Sequence, residues 1–545
     1  MAFQTDFSPD YRARMQESYW PGRLVTEYLA RQVARRPDKP AVISYSTDGE
    51  PPRSAVTYAE LAGWADRLAQ ELRAAGVGPG DVVSVQLPNC WQIAALHLAC
   101  VRIGAVTNLL MPMFRARDLT FMLTLTGSRV LICPRRFRGF DYTPMAEHLR
   151  STVPALEQIF QIDLRDRSFA GLMHPAVPAS RVGCPLTPDD VVQIAFTSGT
   201  TGEPKGVMVT SETLLSNVTA FCDRLRLTED DVFFMASPLA HQTGFMYGFL
   251  APLSLGATAV VQDAWDPMVA ADIITSERAT FSMGAPAFLY DLSAAVERSA
   301  RPLDSLRLFV AAGAPVARPI LERAEKTLDL RVIRGWGMTE VGAVSISAPD
   351  DDPDTVAASD GRALPGVEME IFDPAGEQLP RGAEGVLKVR SPSMFGGYLQ
   401  RPELRNLDRD GWFDTGDLGV VDPGGFLRIT GRAKDLIIRG GENVPVVEIE
   451  GLIRTHPGVR DVAVVGAPDE RLGERACAFV VLVPGHDLTL DGLVGHLTAC
   501  AVARQYLPER LVVLDALPTT PTGKVQRFAL RGQAAGLVTA ASGEG

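Results

Sequence analysis

Apolar positions along this chain follow strand and helix patterns in alternation from about residue 20 to 430. Residues 82–85, 191–196 and 207–209 are short apolar runs with the length of buried strands. Thr57 and Glu60 form a capping box ahead of a helical pattern that Gly76 is expected to end. The apolar face of that helix consists of Leu61, Ala65, Leu68 and Leu72. This alternation predicts α/β layering.

In the second half of the chain the pattern of predicted helices and strands changes twice. Ser211 opens a helix with an apolar stripe, and the acidic run 349–356 is expected to be a surface loop. Short strands and turns follow to about residue 430. Beyond residues 432–435 the pattern restarts, with a helix near 446–456 and strands at 462–465 and 478–482. The last part of the chain therefore predicts a small α+β domain.

Composition narrows the class of protein. A chain of 545 residues is too long for one core, so two or more domains are expected. The net charge of −12 argues against nucleic acid as a partner. Seven scattered cysteines indicate reduced thiols without a disulfide or zinc framework. Since we find neither a signal peptide nor an apolar run long enough to cross a membrane, we expect a cytoplasmic protein without a transmembrane segment.

The segment 197–206, Thr-Ser-Gly-Thr-Thr-Gly-Glu-Pro-Lys-Gly, lies between two predicted strands. Its glycines allow close approach of backbone N–H groups, its hydroxyls donate hydrogen bonds, and Lys205 brings a positive charge. The Walker A pattern does not fit in any register. The alternative is a flexible linker. The flanking strands favour a loop that binds a polyphosphate.

This segment resembles the phosphate-binding signature of the adenylate-forming superfamily, which includes acyl-CoA synthetases, peptide-synthetase adenylation domains and beetle luciferases. The resemblance extends from about Leu24 to Leu530. It implies the adenylate-forming enzyme fold: a large α/β domain of several subdomains, residues 1–433, which binds ATP and the acyl group. It also implies a small, mobile α+β lid, residues 434–545, hinged at Lys434.

A second motif, residues 334–340, ends in Thr339 and Glu340, a phosphate donor and a hard oxygen ligand suited to Mg²⁺. The alternative is a glutamate that faces water. The resemblance assigns Thr339 to the α-phosphate and Glu340, with Thr200, to magnesium. It assigns Asp417, in what is expected to be the end of a turn, to the ribose. The full set implied to bind ATP is Thr197, Ser198, Gly199, Thr200, Thr201, Lys205, Gly313, Ala314, Pro315, Gly335, Trp336, Gly337, Met338, Asp417, Ile429 and Arg432.

The resemblance places two further catalytic groups. Lys524 matches the lysine that bridges the carboxylate and the α-phosphate during adenylation, although most lysines are simply solvated. His241 matches a residue that flanks the acyl carboxylate, although a lone histidine on an apolar background is more often a core residue. With Thr339 and Glu340 these form the predicted catalytic set. Gly440 and Gly441 are implied to line the tunnel for CoA.

The acid is harder to predict. Amino-acid-activating relatives carry an aspartate just after the position of His241, where this chain has Gln242, so an α-amino acid is not expected. The predicted acyl pocket is apolar, which favours a hydrocarbon acid. Its candidates are Phe245, Met246, Val341 and Ala343. Several segments most resemble short- and medium-chain fatty acyl-CoA synthetases and cyclohexanecarboxylate-CoA ligases.

Together these motifs predict an acid–thiol ligase. ATP and Mg²⁺ would activate a hydrophobic carboxylic acid as its acyl-adenylate, and CoA would then release acyl-CoA and AMP. One alternative is an acyl- or aryl-adenylating ligase that loads a separate carrier protein, as in natural-product biosynthesis. The other is a non-catalytic ligand-binding relative. Neither the chain length of the acid nor the oligomeric state can be predicted from these patterns.

Overall fold

A computed structural model describes the chain over residues 3–47, 52–164, 169, 172, 183–197, 204–299, 301–314, 316, 318–432, 435, 437–439, 442–469, 473–500, 502, 504–519 and 525–542. The chain divides into two compact units. The first comprises Met1–Glu368 and Arg390–Asn406, and the second comprises Met369–Val389 and Leu407–Gly545. The second unit therefore begins before the boundary expected at 433/434, two residues that lie outside the described part. That boundary stays a prediction.

The helices alternate with strands through most of the chain. In chain order they are α1 (Pro9–Ser18), α2 (Val25–Arg35), α3 (Tyr58–Ala74), α4 (Trp91–Ile103), α5 (Ala116–Thr126), α6 (Thr143–Thr152), α7 (Ser211–Leu225), α8 (Gln242–Phe245), α9 (Ala251–Leu255), α10 (Pro267–Ser276), α11 (Pro286–Ser299), α12 (Arg318–Leu328), α13 (Pro353–Ala358), α14 (Val446–Arg454), α15 (Leu490–Ala499) and α16 (Arg527–Ser542). A π-helical turn, Met246–Leu250, joins α8 to α9, and 3₁₀ turns lie at Pro402–Leu404 and Arg504–Tyr506.

The strands form sheets in both units. In chain order they are β1 (Pro40–Tyr45), β2 (Arg53–Thr57), β3 (Val82–Val85), β4 (Val106–Leu109), β5 (Val130–Pro134), β6 (Arg136–Phe137), β7 (Phe140–Asp141), β8 (Gln158–Ile162), β9 (Val191–Thr197), β10 (Lys205–Thr210), β11 (Val232–Met235), β12 (Thr258–Gln262), β13 (Phe281–Gly284), β14 (Leu308–Ala311), β15 (Arg331–Met338), β16 (Gly342–Ile346), β17 (Arg362–Ala363), β18 (Glu368–Phe372), β19 (Glu384–Arg390), β20 (Phe413–Val421), β21 (Leu427–Arg432), β22 (Ile437–Arg439), β23 (Glu442–Val444), β24 (Val459–Asp469), β25 (Gly473–Leu482) and β26 (Arg510–Val513).

Among the described residues of the first unit, the largest sheet has the order β17-β16-β15-β14-β13-β11-β12-β1-β2. The strands from β15 to β1 run parallel, and antiparallel strands cover both edges. The order reverses at β11, which lies between β12 and β13. Ligands of parallel α/β sheets bind beside the carboxyl ends of strands at such a reversal. The fold alone therefore directs attention to the residues that follow β11 and β13.

A second sheet of the first unit has the order β10-β9-β4-β3-β5-β8. Only β10 is antiparallel within it, and it forms a hairpin with β9. Helix α3 begins with the predicted capping box: the Glu60 amide donates to the Thr57 hydroxyl at 3.2 Å, and the Thr57 amide donates to the Glu60 carboxylate at 2.8 Å. Its predicted apolar face is fully buried.

The second unit contains the sheet β18-β19-β20-β21, in which β19, β20 and β21 pair antiparallel, and a sheet of β22 to β26. The strands expected at 462–465 and 478–482 form parts of β24 and β25, and the helix expected near 446–456 is α14. The surface loop expected over 349–356 is wrong in part, because Pro353–Ala358 is a helix. Asp352 caps it by accepting from the Thr355 amide at 3.0 Å, and Pro353 occupies its first position. The acidic composition concealed this start signal.

Candidate active site

The phosphate-loop candidate is held by the hairpin of β9 and β10. Thr197 and Lys205 lie directly opposite each other as the last cross-strand pair. Both side chains are half-buried. Ser198, Gly199, Thr200 and Thr201 fall outside the described residues, so their predicted contacts to ATP stay predictions. The pair Thr197–Lys205 fixes where β9 ends and β10 begins.

The segment Gly335–Met338 is the end of strand β15 and pairs with β16. A Cβ on Gly337 would lie 2.3 Å from the carbonyl oxygen of Gly342, and one on Gly335 would lie 2.9 Å from that of Ser345. The glycines are thus needed where the two strands approach closely. The chain then turns and delivers Thr339 and Glu340 beside the carboxyl edge of the sheet.

Glu340 is the best-defined polar group of this edge. Its side chain is 5% exposed, so it is not a glutamate that faces bulk water. The hydroxyl of Tyr398 donates to Glu340 Oε1 at 2.8 Å, and Lys205 Nζ lies 4.8 Å from the centre of the Tyr398 ring. Burial, and then the negative charge of Glu340, raise the pKa of Tyr398 well above its usual range. One tyrosine therefore joins the metal-ligand candidate to the phosphate-loop lysine.

Tyr398 belongs to segment 391–399, which contacts both the Glu340 backbone and strand β10. The Phe395 amide donates to the Glu340 carbonyl at 2.8 Å, and Tyr398 forms an isolated antiparallel bridge with Val207 of β10. The sequence interpretation missed Tyr398. The signal for it was weak, since a tyrosine after two glycines has no local reason to contact a residue 58 positions away.

His241 follows β11 at the reversal of strand order. It caps α8, because the Thr243 amide donates to His241 Nδ1 at 3.2 Å, which places the proton of a neutral ring on Nε2. Asn89, which precedes α4, fastens this loop: its Nδ2 donates to the carbonyls of Ser237 and Gln262 at 3.0 Å each. The Leu239 amide donates to its Oδ1 at 2.7 Å. Asn89 carried no signal in the sequence.

The four predicted acyl-pocket residues lie in two segments, the end of α8 with the π-helical turn, and the start of β16. All four are buried: Phe245, Met246, Val341 and Ala343. Tyr247 and Asn217 join the two segments through buried hydrogen bonds. A π-helical turn is uncommon and is often found at functional sites.

Gly313 and Ala314 follow β14 and are exposed at the same edge of the sheet. Gly313 has a φ of +86°, and, its two chain neighbours aside, no heavy atom of the described residues lies within 4 Å of the position that a Cβ would take there. Pro315 lies outside the described residues. The edge therefore gathers the predicted residues that follow β11, β14 and β15.

In the second unit, Asp417 and Arg432 are cross-strand neighbours of β20 and β21. The prediction that Asp417 ends a turn is wrong, since it lies inside a nine-residue strand. Its carboxylate pairs with Arg432 Nε at 2.7 Å and is almost fully buried. Ile429 is half-buried on β21. The alternating pattern of β20 was hidden by the glycines and aspartates within it.

Lys434, Gly440, Gly441 and Lys524 fall outside the described residues, and their predicted roles stay predictions. Among the residues described, no group of three or more His, Cys, Asp or Glu side chains could hold a metal ion. No helix within that part of the chain is long and apolar enough to span a membrane. The predicted cytoplasmic location stays a prediction.

Comparison with known proteins identifies the class. The AMP-binding enzyme profile matches residues 29–399, and the AMP-binding enzyme C-terminal domain profile matches residues 448–524. The chain belongs to the AMP-binding enzyme family. The medium-chain fatty-acid–CoA ligase of Escherichia coli (strain K12) is 35% identical, over 95% of this chain and 92% of that protein. The salicyl-AMP ligase / salicyl-S-ArCP synthetase of Mycobacterium tuberculosis (strain ATCC 25618 / H37Rv) is 33% identical, over 97% and 93%.

Solved structures of related ligases match the fold of this chain. ATP-bound MatB from Rhodopseudomonas palustris matches with a TM-score of 0.84 at 30% identity, covering 94% of this chain and 99% of that one. The anthranilate CoA ligase AuaEII with anthranoyl-AMP matches with a TM-score of 0.85 at 25% identity, covering 95% and 98%. The predicted superfamily, fold and enzyme class are confirmed: the protein is an AMP-forming acid–thiol ligase that uses ATP, a carboxylic acid and CoA.

Proposed function

We propose that this enzyme activates a medium-chain or alicyclic hydrocarbon monocarboxylate, with Mg²⁺ held at Glu340, and transfers the acyl group to CoA. In the first step a carboxylate oxygen bonds to the α-phosphorus of ATP, and the bond to the bridging oxygen breaks to release pyrophosphate. In the second step the CoA thiol, losing its proton, displaces AMP. The observation that carries the proposal is the contact set Glu340–Tyr398–Lys205.

The chemistry of this contact set fits magnesium. Mg²⁺ is commonly bound by one or two carboxylates together with substrate phosphates and water, so a single glutamate suffices. Tyr398 holds one oxygen of Glu340 and thereby orients the carboxylate. When bound, Mg²⁺ neutralises phosphate charge. Lys205 would meet the phosphates from the hairpin, and Thr339 would donate to the α-phosphate.

The apolar character of the predicted pocket supports a hydrocarbon acid. Phe245, Met246 and Val341 are buried and carry no hydrogen-bonding side-chain group. The nearest hydroxyl in sequence, that of Tyr247, already donates to Asn217 and accepts from the Ala343 amide. A polar substituent on the acid would therefore find no partner among these side chains, and burying it unpaired would cost free energy. The similarity to a medium-chain fatty-acid–CoA ligase supports the same class.

The second candidate is transfer to a separate carrier protein. It is favoured by the 33% identity to a salicyl-S-ArCP synthetase. The roles proposed for His241 beside the acyl carboxylate, Lys524 in adenylation, Lys434 as hinge and Gly440–Gly441 at the CoA tunnel are common to both candidates. The acceptor thiol separates them: CoA should be acylated without any carrier protein present.

The test is carboxylate-dependent release of pyrophosphate across a panel of linear, alicyclic and aryl acids, with and without CoA. We expect AMP and pyrophosphate as products, with octanoate- and cyclohexanecarboxylate-sized acids preferred. ADP as the product would contradict adenylation, and acyl-adenylate that accumulates with CoA present would favour a carrier acceptor. A preference for hydroxylated aryl acids would contradict the substrate class.

A substitution at Glu340 tests the proposed magnesium site. Glu340→Gln preserves shape and the bond from Tyr398 but removes the charge, so we expect adenylation to fall by about a hundredfold or more and the Mg²⁺ requirement to rise. The measurement is pyrophosphate release against Mg²⁺ concentration. Glu212→Gln is the matched control, because Glu212 is equally buried and accepts from the Gly22 amide instead. Equal rates in both variants at limiting Mg²⁺ would refute the assignment.

A further inference from the structure

Tyr247 and Asn217 form a buried polar pair inside an otherwise apolar region. The Tyr247 hydroxyl donates to Asn217 Oδ1 at 2.7 Å and accepts from the Ala343 amide at 2.9 Å. Asn217 Nδ2 donates to the Ala343 carbonyl at 2.8 Å and to Ser393 Oγ at 3.0 Å. Both peptide groups of Ala343 are thus held by side chains rather than by strand pairing alone.

The surroundings leave this pair little freedom. The Tyr247 ring stacks on Phe221 of α7, with centroids 4.1 Å apart and planes at 27°. Gly342 has a φ of +65°, and a Cβ there would lie 2.7 Å from the Asn217 side chain, so the backbone packs directly on the amide. Tyr247 is 3% exposed, and burial raises the pKa of its hydroxyl, which stays protonated as a donor. Such a satisfied network is rigid and specifies one geometry.

The pair spans the two segments predicted to contact the acyl chain. Tyr247 belongs to the π-helical turn that contains Met246 and directly follows Phe245. Ala343 lies on β16, two residues after Val341. The hydrogen bonds of the pair therefore fix the spacing of these two segments.

Segment 391–399 also holds the metal-ligand candidate. The Glu340 carbonyl accepts from Phe395, and the Val341 carbonyl accepts from Ser393 Oγ at 2.7 Å. Neither bond involves Tyr247. The run 340–343 thus has one anchor at its Glu340 end, in segment 391–399, and another at Ala343, in the tyrosine–asparagine pair. Asn217 also contacts the first anchor, because its Nδ2 donates to Ser393 Oγ at 3.0 Å and to the Val341 carbonyl at 3.4 Å, whereas Tyr247 does not.

We propose that Tyr247 and Asn217 are positioning residues that set the spacing of the two acyl-contacting segments and so determine which carboxylic acids the enzyme accepts. This inference rests on the proposed function for the identity of the pocket. The pair is not among the residues predicted to contact the acid or the metal. It acts through the backbone of Ala343.

Tyr247→Phe tests this, because it keeps the stacked ring and removes one hydroxyl. We measure kcat and KM for linear acids of increasing length and for cyclohexanecarboxylate, and KM for ATP. Because the hydroxyl makes two buried hydrogen bonds, we expect KM for the preferred acid to rise about five- to tenfold when both are lost. Discrimination between acids that differ by two carbons should fall by a similar factor. KM for ATP and the Mg²⁺ dependence should stay within about twofold.

Tyr142→Phe is the matched control, since Tyr142 is equally buried and donates to the Pro112 carbonyl at 2.8 Å in another core cluster. It should lower stability without changing acid preference. Asn217→Ala should alter preference in the same direction, and the double variant should be less than additive. Thermal unfolding verifies that each variant is folded. The acid preference of either single variant that folds is enough to test the proposal.

The outcomes separate this inference from the proposed function. If the wild-type enzyme shows no release of pyrophosphate dependent on hydrocarbon acids, the proposed function fails. If the wild type is active and Tyr247→Phe keeps the same acid profile as Tyr142→Phe, the inference is overturned while the function stands. An equal loss for every acid, with a raised KM for ATP, would also overturn it.

Discussion

At the scale of single residues, Asn89 shows how one side chain can position a catalytic candidate. It lies ahead of α4, yet all its bonds go to the loop after β11 and to the end of β12. Through Leu239 it reaches to within two residues of His241. A buried amide that serves three backbone groups is costly to remove, because each is left without a partner.

We therefore expect Asn89→Ala to lower the adenylation rate by about tenfold or more while the protein remains folded, because His241 loses its fixed loop. The measurement is acid-dependent pyrophosphate release, paired with thermal unfolding. Gln86→Ala is the control: Gln86 is also a buried amide near the end of β3, and it donates to the carbonyls of Met111 and Phe114. If both variants lose activity only in proportion to stability, Asn89 has no positioning role.

At the scale of elements, helix α4 is distinctive because nearly every residue in it is buried. Such a helix is apolar all round and belongs in the middle of a core. It nevertheless contains His97, whose Nδ1 lies 3.0 Å from the Thr107 hydroxyl and whose ring packs edge-on against Phe245 at 4.8 Å. Burial lowers the pKa of His97 to about 3, so the ring is neutral in the folded protein.

This predicts a pH dependence. The pKa of His97 is lower in the folded state than in the unfolded state, where a histidine has a pKa of about 6.5. The neutral ring therefore makes its full contribution to the free energy of unfolding above about pH 6.5. This contribution to the free energy of unfolding is lost as the pH falls toward 3, by up to about 1.4 kcal/mol per pH unit. Denaturant unfolding between pH 7.5 and 4.5 measures this slope. His97→Gln should flatten it and His148→Gln, at an exposed site, should not; identical slopes in all three proteins would contradict the assignment.

Elements also show what the sequence could predict. The α3 capping box and the strands around the phosphate loop were readable because their signals are local. The helix at Pro353–Ala358 was missed because its capping aspartate lies within an acidic run. Asp417 was misplaced because glycines interrupt the apolar alternation of its strand. Tyr398 and Asn89 could not be found from one sequence, since their partners are non-local and chosen by tertiary packing.

At the scale of the whole molecule, the chain passes between its two units more than once, because Met369–Val389 belongs to the second unit and Arg390–Asn406 to the first. The sheet of β22 to β26 has core clusters of its own. Their buried members all lie between Ile437 and Ala534. These clusters lie wholly after the predicted boundary at 433/434, which stays a prediction.

We expect a fragment of residues 435–545 to fold alone, because the buried members of both clusters lie within it. Circular dichroism and thermal unfolding should show one cooperative transition. The reference is a fragment of residues 369–545, which contains the entire second unit. If only the longer fragment unfolds cooperatively, the domain boundary lies earlier than the predicted hinge.

The hairpin of β9 and β10 has a consequence for redesign. Since Thr197 and Lys205 are paired across the two strands, the ends of β9 and β10 that flank the predicted phosphate loop are fixed in the sheet. Adding or removing residues between Thr197 and Lys205 does not change which side chains of β9 and β10 lie on each face of the sheet. One extra residue inside β10 would instead turn the following side chains to the opposite face. This loop can therefore be exchanged as a cassette between related ligases, with Lys205 as its constant end.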